Sequence, residues 1–254
     1  MNKFFVPKEN IDNDTVLIKG EDVKHIIKVL RLKAGDTINI NDCSGNEYLG
    51  EIAETAKEEV TAKIIKKIEL NNESNVKVFL FQGVPKSSKM DLIVQKATEL
   101  GAYKIIPVFT KRVVKKESSG LKKIDRLRKI ALEACKQSKR SLIPDVAEPV
   151  EFYDMIKMLS DMDLILVPYE NENKVGIKEV KSELSNKKIE KVAIIIGPEG
   201  GFEDEEIKNL KDIGAYIVSL GPRILRTETA GFVAISLIMY EFGDMGMENK
   251  RLEC

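Results

Sequence analysis

The sequence has little of the residue chemistry on which metal centres and catalytic triads depend. Its 254 residues include one histidine, three cysteines and no tryptophan. Cys43, Cys135 and Cys254 are far apart and form neither a Cys-x-x-Cys pair nor another metal spacing. A zinc site therefore has little support, and with only His25 available a Ser-His-Asp triad has little support as well. Free thiols in a reducing compartment are the simplest interpretation.

Long apolar runs are also absent. No segment approaches the roughly 20 apolar residues that a membrane helix needs. The first residues, MNKFFVP, contain no apolar stretch typical of a signal peptide. We therefore expect a cytoplasmic protein with no membrane partner. Hydrophobic residues make up 43% of the chain and charged residues 32%, which predicts a globular protein of one large domain or two modest ones.

The net charge is zero, but the charges are unevenly distributed. Residues 1–70 contain 11 Lys and Arg against 13 Asp and Glu, whereas residues 85–145 contain 16 against 6. A basic segment in a neutral protein is typical of a chain that docks a polyanion at one place. A solvated basic helix face would give the same pattern, so charge alone leaves both interpretations open.

The first seventy residues have the pattern of a small β-barrel. Short strand-like segments separated by turn residues lie at 15–18, 36–40, 48–52 and 60–65. A helix is predicted over 21–32, with its apolar residues on one face and Lys24, His25, Lys28 and Arg31 on the other. This polar face is either an ordinary solvated face or the phosphate-contacting face of an RNA-binding barrel.

A polar break at 71–75, NNESN, marks the predicted boundary between a domain at 1–72 and a domain at 73–254. Beyond it, apolar strands alternate with helices. The strands are predicted at 76–81, 103–109, 163–167, 192–196 and 217–220, and the helices at 88–101, 121–139, 177–184, 203–213 and 231–242. Continuous apolar strands are buried on both faces, so we predict an α/β domain with a mainly parallel sheet flanked by helices.

Two turns between a predicted strand and a predicted helix contain candidate functional residues. Segment 197–201 reads GPEGG, and its glycines allow a sharp turn and a close approach to a ligand. Segment 220–230 reads LGPRILRTETA and places charged residues immediately before an apolar helix. Ligands bind at such strand ends in open α/β sheets, so the two turns predict one pocket.

The charged turn also has a structural interpretation. A threonine before an apolar run is a natural helix N-cap, which accounts for Thr227 or Thr229. Charges near a core are costly unless they are paired, so an Arg226–Glu228 salt bridge is the alternative to a functional role for these two residues.

Together with segments 25–31 (HIIKVLR), 95–101 (QKATELG) and 133–140 (EACKQSKR), the two turns resemble the RsmE family of SPOUT-class methyltransferases. The resemblance spans nearly the whole chain in order. It implies a PUA-like β-barrel that helps to bind RNA, followed by an α/β domain with a C-terminal trefoil knot. It also implies a homodimer without a metal that methylates N3 of a uridine in 16S ribosomal RNA of the small subunit, using S-adenosyl-L-methionine.

The resemblance implies roles for particular residues. Arg226 would stabilise negative charge on the uracil or orient the base, and Glu228 would help to remove the N3 proton or orient Arg226. Three loops would hold the cofactor, through Leu166, Val167, Pro168, Ile196, Gly197, Pro198, Glu199, Gly200, Gly201, Leu220, Gly221, Pro222, Leu225, Thr229 and Ala230. Contacts to RNA would come from His25, Lys28, Arg31, Lys86, Lys89, Arg112, Gln137 and Arg140.

The sequence departs from the family pattern at three places. Glu203 stands where a Ser or Thr helix cap is usual, Lys111 stands where relatives often have Glu, and residues 87–88 are Ser-Ser where relatives favour Gly-Asp. We expect these departures to affect RNA contacts more than cofactor binding.

Two other functions are considered. A ribose 2′-O-methyltransferase of the same superfamily typically has an early Asn-x-Gly-x-x-x-Arg motif and a last motif containing Ser-x-Asn, and neither is found here. A non-catalytic RNA-binding ribosome assembly factor would need the barrel and the basic segment, but it would not need segment 226–229.

Overall fold

The computed structural model of the chain describes residues 2–69, 72–86, 89–113 and 124–246. It divides into two compact units. One consists of residues 1–73 together with 135–143, and the other of residues 74–134 and 144–254. The sequence-based boundary between 72 and 73 assigns 135–143 to the second domain, whereas in the structure their contacts are with the first unit.

The first unit is built on a six-stranded sheet in the order β1-β4-β5-β6-β3-β2. All its pairings are antiparallel except that of β1 with β4. Its strands are β1 (Lys3–Phe5), β2 (Ile11–Asp12), β3 (Thr15–Lys19), β4 (Thr37–Asn41), β5 (Glu47–Thr55) and β6 (Glu59–Ile68). Alternate residues such as Val16, Ile18, Ile38 and Ile40 are buried, as the two-residue period of a strand requires. The four predicted strands are confirmed, while β1 and β2 are too short to show the period.

The predicted helix of the first unit forms as α1 (Glu21–Lys24) and continues as a π-helical turn, His25–Leu30. It ends at Arg31, whose φ of 56° is left-handed. Val23 and Ile26 are buried, whereas Lys24, His25, Lys28 and Arg31 are exposed. The apolar and polar faces are therefore those that the sequence predicts.

The second unit contains a seven-stranded sheet in the order β10-β8-β7-β12-β11-β13, with β9 paired to β8. Every one of these pairings is parallel, which confirms the predicted sheet. The strands are β7 (Lys77–Gly83), β8 (Lys104–Phe109), β9 (Asp145–Val146), β10 (Val150–Glu151), β11 (Leu164–Pro168), β12 (Lys191–Ile196) and β13 (Tyr216–Val218). The central strands β7 and β12 are almost wholly buried, as expected for a parallel sheet covered on both faces.

The helices of the second sheet's connections are α2 (Lys89–Glu99), α3 (Ile124–Ser138), α4 (Phe152–Met158), α5 (Ile177–Glu183), α6 (Asp204–Asp212) and α7 (Thr227–Glu241). Helix α4 has only seven residues, so the helical period hardly repeats in the sequence and the helix was not predicted. Helix α7 packs on α2, α5, β7 and β12. It begins at Thr227, whereas the sequence predicted a start at 231. The residues of its first turn are polar, so the apolar pattern does not show where the helix begins. Within the described ranges, no helix is long and apolar enough to cross a membrane.

Arg140 forms a buried ion pair in the first unit. Its Nη2 lies 2.6 Å from Oε2 of Glu73, and the Arg140 side chain is only 6% exposed. Oε1 of Glu73 also accepts hydrogen bonds from the backbone N–H groups of Ser141 (2.7 Å) and Leu142 (2.9 Å). This burial argues against the phosphate contact predicted for Arg140, whereas Gln137 is exposed.

We predict that Glu73→Ala lowers the free energy of unfolding by roughly 3–5 kcal/mol, because it removes the carboxylate partner of a buried guanidinium. Urea unfolding would measure the change. As a control, Lys188→Ala breaks a pair with Glu190 whose side chains are 83% and 59% exposed, and it should leave the stability nearly unchanged. Similar losses in the two variants would contradict the structural role of Glu73.

Candidate active site

A cavity of about 510 Å³ lies at the carboxyl ends of β11, β12 and β13. This volume is in the range of small-molecule sites. Three segments contribute most of its wall, namely 168–172, 196–202 and 219–227, with Lys89 and Ala230 completing it. The two turns singled out in the sequence therefore do line one cavity.

Most of the predicted cofactor residues are in the wall of this cavity. Those that line it are Pro168, Ile196, Gly197, Pro198, Glu199, Gly201, Leu220, Gly221, Pro222, Leu225 and Ala230. Leu166 and Val167 are instead buried within β11. Gly200 and Thr229 lie in the adjoining backbone without lining the cavity.

A chain of hydrogen bonds ties the two turns to the end of β7. The hydroxyl of Thr227 donates to the carbonyl oxygen of Gly197 over 2.6 Å and accepts from Nε2 of Gln82 over 2.8 Å. Nε2 of Gln82 also donates to the Gly83 carbonyl over 3.1 Å. Thr227 is the first helical residue, and the N-cap position is held by Arg226 without a side-chain capping bond. The N-cap role predicted for Thr227 or Thr229 is therefore wrong.

Gln82 is not among the site residues predicted from the sequence. The sequence does contain a signal for Gln82, a lone amide at the end of the otherwise apolar strand VFLFQG, because a buried polar side chain must find partners.

The residue after Gln82 is glycine for a steric reason. A Cβ on Gly83 would lie 2.6 Å from the nitrogen of Pro198, so the 197–201 turn can pass only because position 83 has no side chain. Gly201 and Gly221 have φ values of 69° and 108°, which few other residues adopt.

Lys89 joins two carboxylates at the cavity. Its Nζ lies 3.1 Å from Oε1 of Glu199 and 3.2 Å from Oε2 of Glu228. The hydrogen bond to Glu199 raises the pKa of Lys89, and Glu228 adds to the effect. Burial would raise the pKa of Glu199, but hydrogen bonds from backbone N–H groups, including that of Lys86, and from Lys89 hold it below its usual range.

Arg226 is exposed on the cavity wall. In the described part of the chain it forms no ion pair, since Glu228 pairs with Lys89 instead. The Arg226–Glu228 salt bridge considered above is therefore not the arrangement that the structure contains. The guanidinium of Arg226 is left available to a ligand.

The departures at Glu203 and Lys111 are accommodated by one buried carboxylate. Glu206 accepts hydrogen bonds from the backbone N–H groups of Glu203 (2.9 Å) and Lys111 (3.0 Å). Nε of Arg112 donates to Glu203 over 2.8 Å, and its Nη1 donates to the Gly200 carbonyl over 2.8 Å. Arg112 is thus engaged in holding the turn. The substitution at 87–88 lies outside the described residues.

The predicted RNA-binding residues fall into two groups. His25, Lys28, Arg31, Lys86 and Gln137 are exposed. Lys89, Arg112 and Arg140 instead pair with acidic side chains.

The donor set of the cavity suits an organic ligand of mixed polarity. Apolar walls come from Ile196, Phe202, Leu220 and Leu225, and backbone groups come from the turns. Such a combination fits the heterocycle, sugar and charged ends of a nucleoside-derived cofactor. Across the described ranges, no group of three or more His, Cys, Asp or Glu residues could hold a metal ion.

The chain thus combines a small β unit with an α/β unit whose parallel sheet has a cavity at its carboxyl edge. A family model described as an RNA methyltransferase domain matches residues 72–239, and one described as an RNA methyltransferase PUA domain matches residues 18–65. The chain is 36% identical over 248 residues to the ribosomal RNA small subunit methyltransferase E of Bacillus subtilis, covering 95% of this chain and 97% of the relative. It belongs to the family of ribosomal RNA small subunit methyltransferase E.

Solved structures resemble the protein over almost its full length. A putative methyltransferase from Legionella pneumophila, in complex with the bound cofactor SAM, is 31% identical with a TM-score of 0.77, and the match covers 96% of this chain and 98% of that one. A ribosomal RNA small subunit methyltransferase E from Neisseria gonorrhoeae, bound to S-adenosyl methionine, is 28% identical with a TM-score of 0.79, covering 96% and 99%.

We predict that Thr227→Val destabilises the protein by roughly 1–3 kcal/mol, because the Gly197 carbonyl loses its donor and the Gln82 amide loses an acceptor. Urea unfolding would measure the loss. Thr227→Ser keeps the hydroxyl and should restore most of the stability. Thr229→Val removes a hydroxyl from the same helical turn that takes no part in this chain of bonds, and equal effects of Thr227→Val and Thr229→Val would contradict the assignment.

Proposed function

We propose that the protein transfers a methyl group from S-adenosyl-L-methionine to N3 of a uridine in 16S ribosomal RNA. The observation that carries the proposal is the cavity at the strand ends, whose wall contains Lys89 and an exposed Arg226 that forms no ion pair in the described part of the chain. The names of the relatives support the ribosomal RNA of the small subunit as substrate. The two cofactor-bound structures support the methyl donor.

The cavity walls would hold the cofactor, which supplies an electrophilic methyl group when bound. Backbone of the turns at 197–201 and 219–225 would bind its polar groups, and Ile196, Phe202 and Leu225 would cover its apolar surface. The hydrogen bonds of Thr227 keep the two turns at a fixed separation. Fixed walls contribute to rate because they hold reacting groups in one geometry.

The uracil ring loses the proton on N3 during the reaction, so negative charge develops on the base. The guanidinium of Arg226 stabilises this charge by donating hydrogen bonds to it. Glu228 accepts the proton, because its carboxylate lies in the first turn of α7 two residues from Arg226. Lys89 orients that carboxylate and balances its charge through the 3.2 Å contact.

The exposed His25, Lys28, Arg31, Lys86 and Gln137 would contact the RNA. Phosphate contacts position a nucleic acid without reading its sequence. The target base must leave its stack to reach the cavity, which favours a single-stranded or splayed segment. Lys89, Arg112 and Arg140 are left out of the proposed RNA contacts because acidic partners already engage them.

The proposal includes a homodimer, formed in the cytoplasm where ribosomal subunits are made. Its support is apolar exposure on two helices that pack together, with Leu92 of α2 43% exposed and Leu237 and Tyr240 of α7 36% and 64% exposed. A second copy would cover these side chains. The trefoil knot of the SPOUT class also belongs to this proposal, with segments 166–168, 196–201 and 220–230 as its loops.

The function is tested by incubating the protein and S-adenosylmethionine with 16S ribosomal RNA from cells that lack the gene. We expect N3-methyluridine by nucleoside mass spectrometry. A 2′-O-methylated nucleoside would favour the ribose methyltransferase, and no cofactor binding would favour the assembly factor. Arg226→Ala should slow single-turnover methylation by about 10²–10³-fold, as removal of one charge-stabilising donor does elsewhere.

The same Arg226→Ala variant should bind S-adenosylmethionine within a few-fold of the wild-type affinity. Arg223→Ala is the matched control, because Arg223 is also exposed on the cavity wall. It should leave the rate of the chemical step nearly unchanged at saturating RNA. Equal losses of rate and cofactor affinity in Arg226→Ala would contradict its catalytic role.

The Lys89 bridge predicts a change in pH dependence. Lys89 favours the ionised form of Glu199, so Lys89→Met should raise the pKa of Glu199. The acid limb of the pH–rate profile should then move to higher pH. Lys89→Arg should restore the original limb. A lower rate with an unmoved limb would show that Lys89 does not act through the carboxylates.

A further inference from the structure

Three glutamates line the cavity, and the structure accounts for two of them. Glu199 pairs with Lys89. Oε1 of Glu172 accepts hydrogen bonds from the backbone N–H groups of Asn173, Lys174 and Val175, over 2.9, 2.7 and 3.2 Å. These bonds hold the pKa of Glu172 below its usual range and fix the loop after β11. The third glutamate, Glu170, has no such role.

The carboxylate of Glu170 makes no hydrogen bond and no ion pair within the part of the chain that the structure describes. The Glu170 side chain is exposed, and its carboxylate lies against the glycine turn. Oε1 lies 2.8 Å from the point that a Cβ on Gly201 would occupy, so the carboxylate fills the space that this glycine leaves. Glu170 therefore presents two oxygen acceptors at the cavity wall, with no donor to them among the described residues.

The strand order separates Glu170 from the proposed reaction centre. Glu170 follows β11, whereas Lys89 follows β7, and β12 lies between these strands. Neighbouring strands are about 4.8 Å apart, so the two strand ends are separated by roughly 10 Å. Lys89 and Glu170 thus follow the ends of different strands around one cavity. A ligand that spans the cavity would meet Glu170 at a distance from its reacting end.

We propose that Glu170 recognises the ribose of the cofactor by accepting hydrogen bonds from its two vicinal hydroxyls. This inference rests on the proposed function, and it adds to the cofactor-binding set a residue that the sequence analysis did not include. A vicinal diol presents two donors that one carboxylate can accept together. Acidic residues bind ribose in this way in dinucleotide-binding folds. Adenine gives a single carboxylate no comparable pair of hydroxyl donors.

Isothermal calorimetry on the full chain without RNA tests the proposal. The ligands are S-adenosylmethionine, S-adenosylhomocysteine, which lacks the sulfonium charge, and 2′-deoxy-S-adenosylhomocysteine. Glu170→Ala should weaken the first two by the same factor, about ten- to a hundredfold for hydrogen bonds to a charged group. The deoxy ligand keeps the 3′-hydroxyl and should bind the wild type more weakly than its parent. Glu170→Ala should weaken it by a smaller factor than it weakens the parent, because the bond to the 2′-hydroxyl is already absent.

Glu54→Ala is the matched control, since Glu54 is an exposed glutamate on β5 with no ion pair among the described residues. It should bind all three ligands as the wild type does. The melting temperature of ligand-free Glu170→Ala should also equal that of the wild type, which separates lost recognition from lost folding.

Four results would overturn the inference. The first is an unchanged affinity in Glu170→Ala. The second is a far larger loss for S-adenosylmethionine than for S-adenosylhomocysteine, which would place the carboxylate at the sulfonium. The third is additive losses for the deoxy ligand, which would indicate another group such as the ammonium. The last is failure of the wild type to bind S-adenosylmethionine and S-adenosylhomocysteine. Of the four results, only this one would also contradict the proposed function.

Discussion

The hydroxyl of Thr227 is shared by three parts of the chain that are distant in sequence. It receives a hydrogen bond from Gln82 at the end of β7 and gives one to the Gly197 carbonyl at the end of β12, while its own backbone begins α7. The Gln82 side chain is fully buried, and in such a place an unmade hydrogen bond costs more than a made one contributes. The separation of the two cavity turns is consequently set by a single side chain, and Arg226 and Glu228 are held on either side of it.

The charged residues around this point are arranged by pairing. Lys89 pairs with two carboxylates, and Arg112 pairs with Glu203. Glu206 accepts hydrogen bonds from two backbone N–H groups. Each of these groups is fixed by a partner inside the second unit. Arg226 and Glu170 are the contrast, since neither has a partner in the described chain although both line the cavity. Charged groups left open in a concave site are the ones that a ligand can use.

Much of the fold follows from local pattern. The apolar runs predicted the parallel strands, and the two glycine- and arginine-containing turns predicted the position of the cavity. Pairing between distant residues could not be predicted in the same way. Nothing in the sequence indicates that Glu228 pairs with Lys89 and not with Arg226. Helices α2 and α7, which contain Lys89 and Glu228, meet only in the folded chain. Arg140 is a second example. Its basic neighbours in the sequence suggest an RNA-binding surface, but in the structure it forms a buried ion pair with the distant Glu73. Short elements such as β1 and α4 were missed because too few residues repeat the period.

The position of β12 between β7 and β11 has a consequence for how the protein acquires its site during synthesis. Strand β12 emerges after both of its neighbours, more than a hundred residues behind β7. Pairings of such sequence separation form slowly, because chain entropy is lost before contacts compensate for it. Until β12 inserts, β7 and β11 are unpaired edges exposed to other chains. Cofactor binding cannot stabilise that earlier state, since its glycine turn does not yet exist, so the ligand stabilises only the finished sheet.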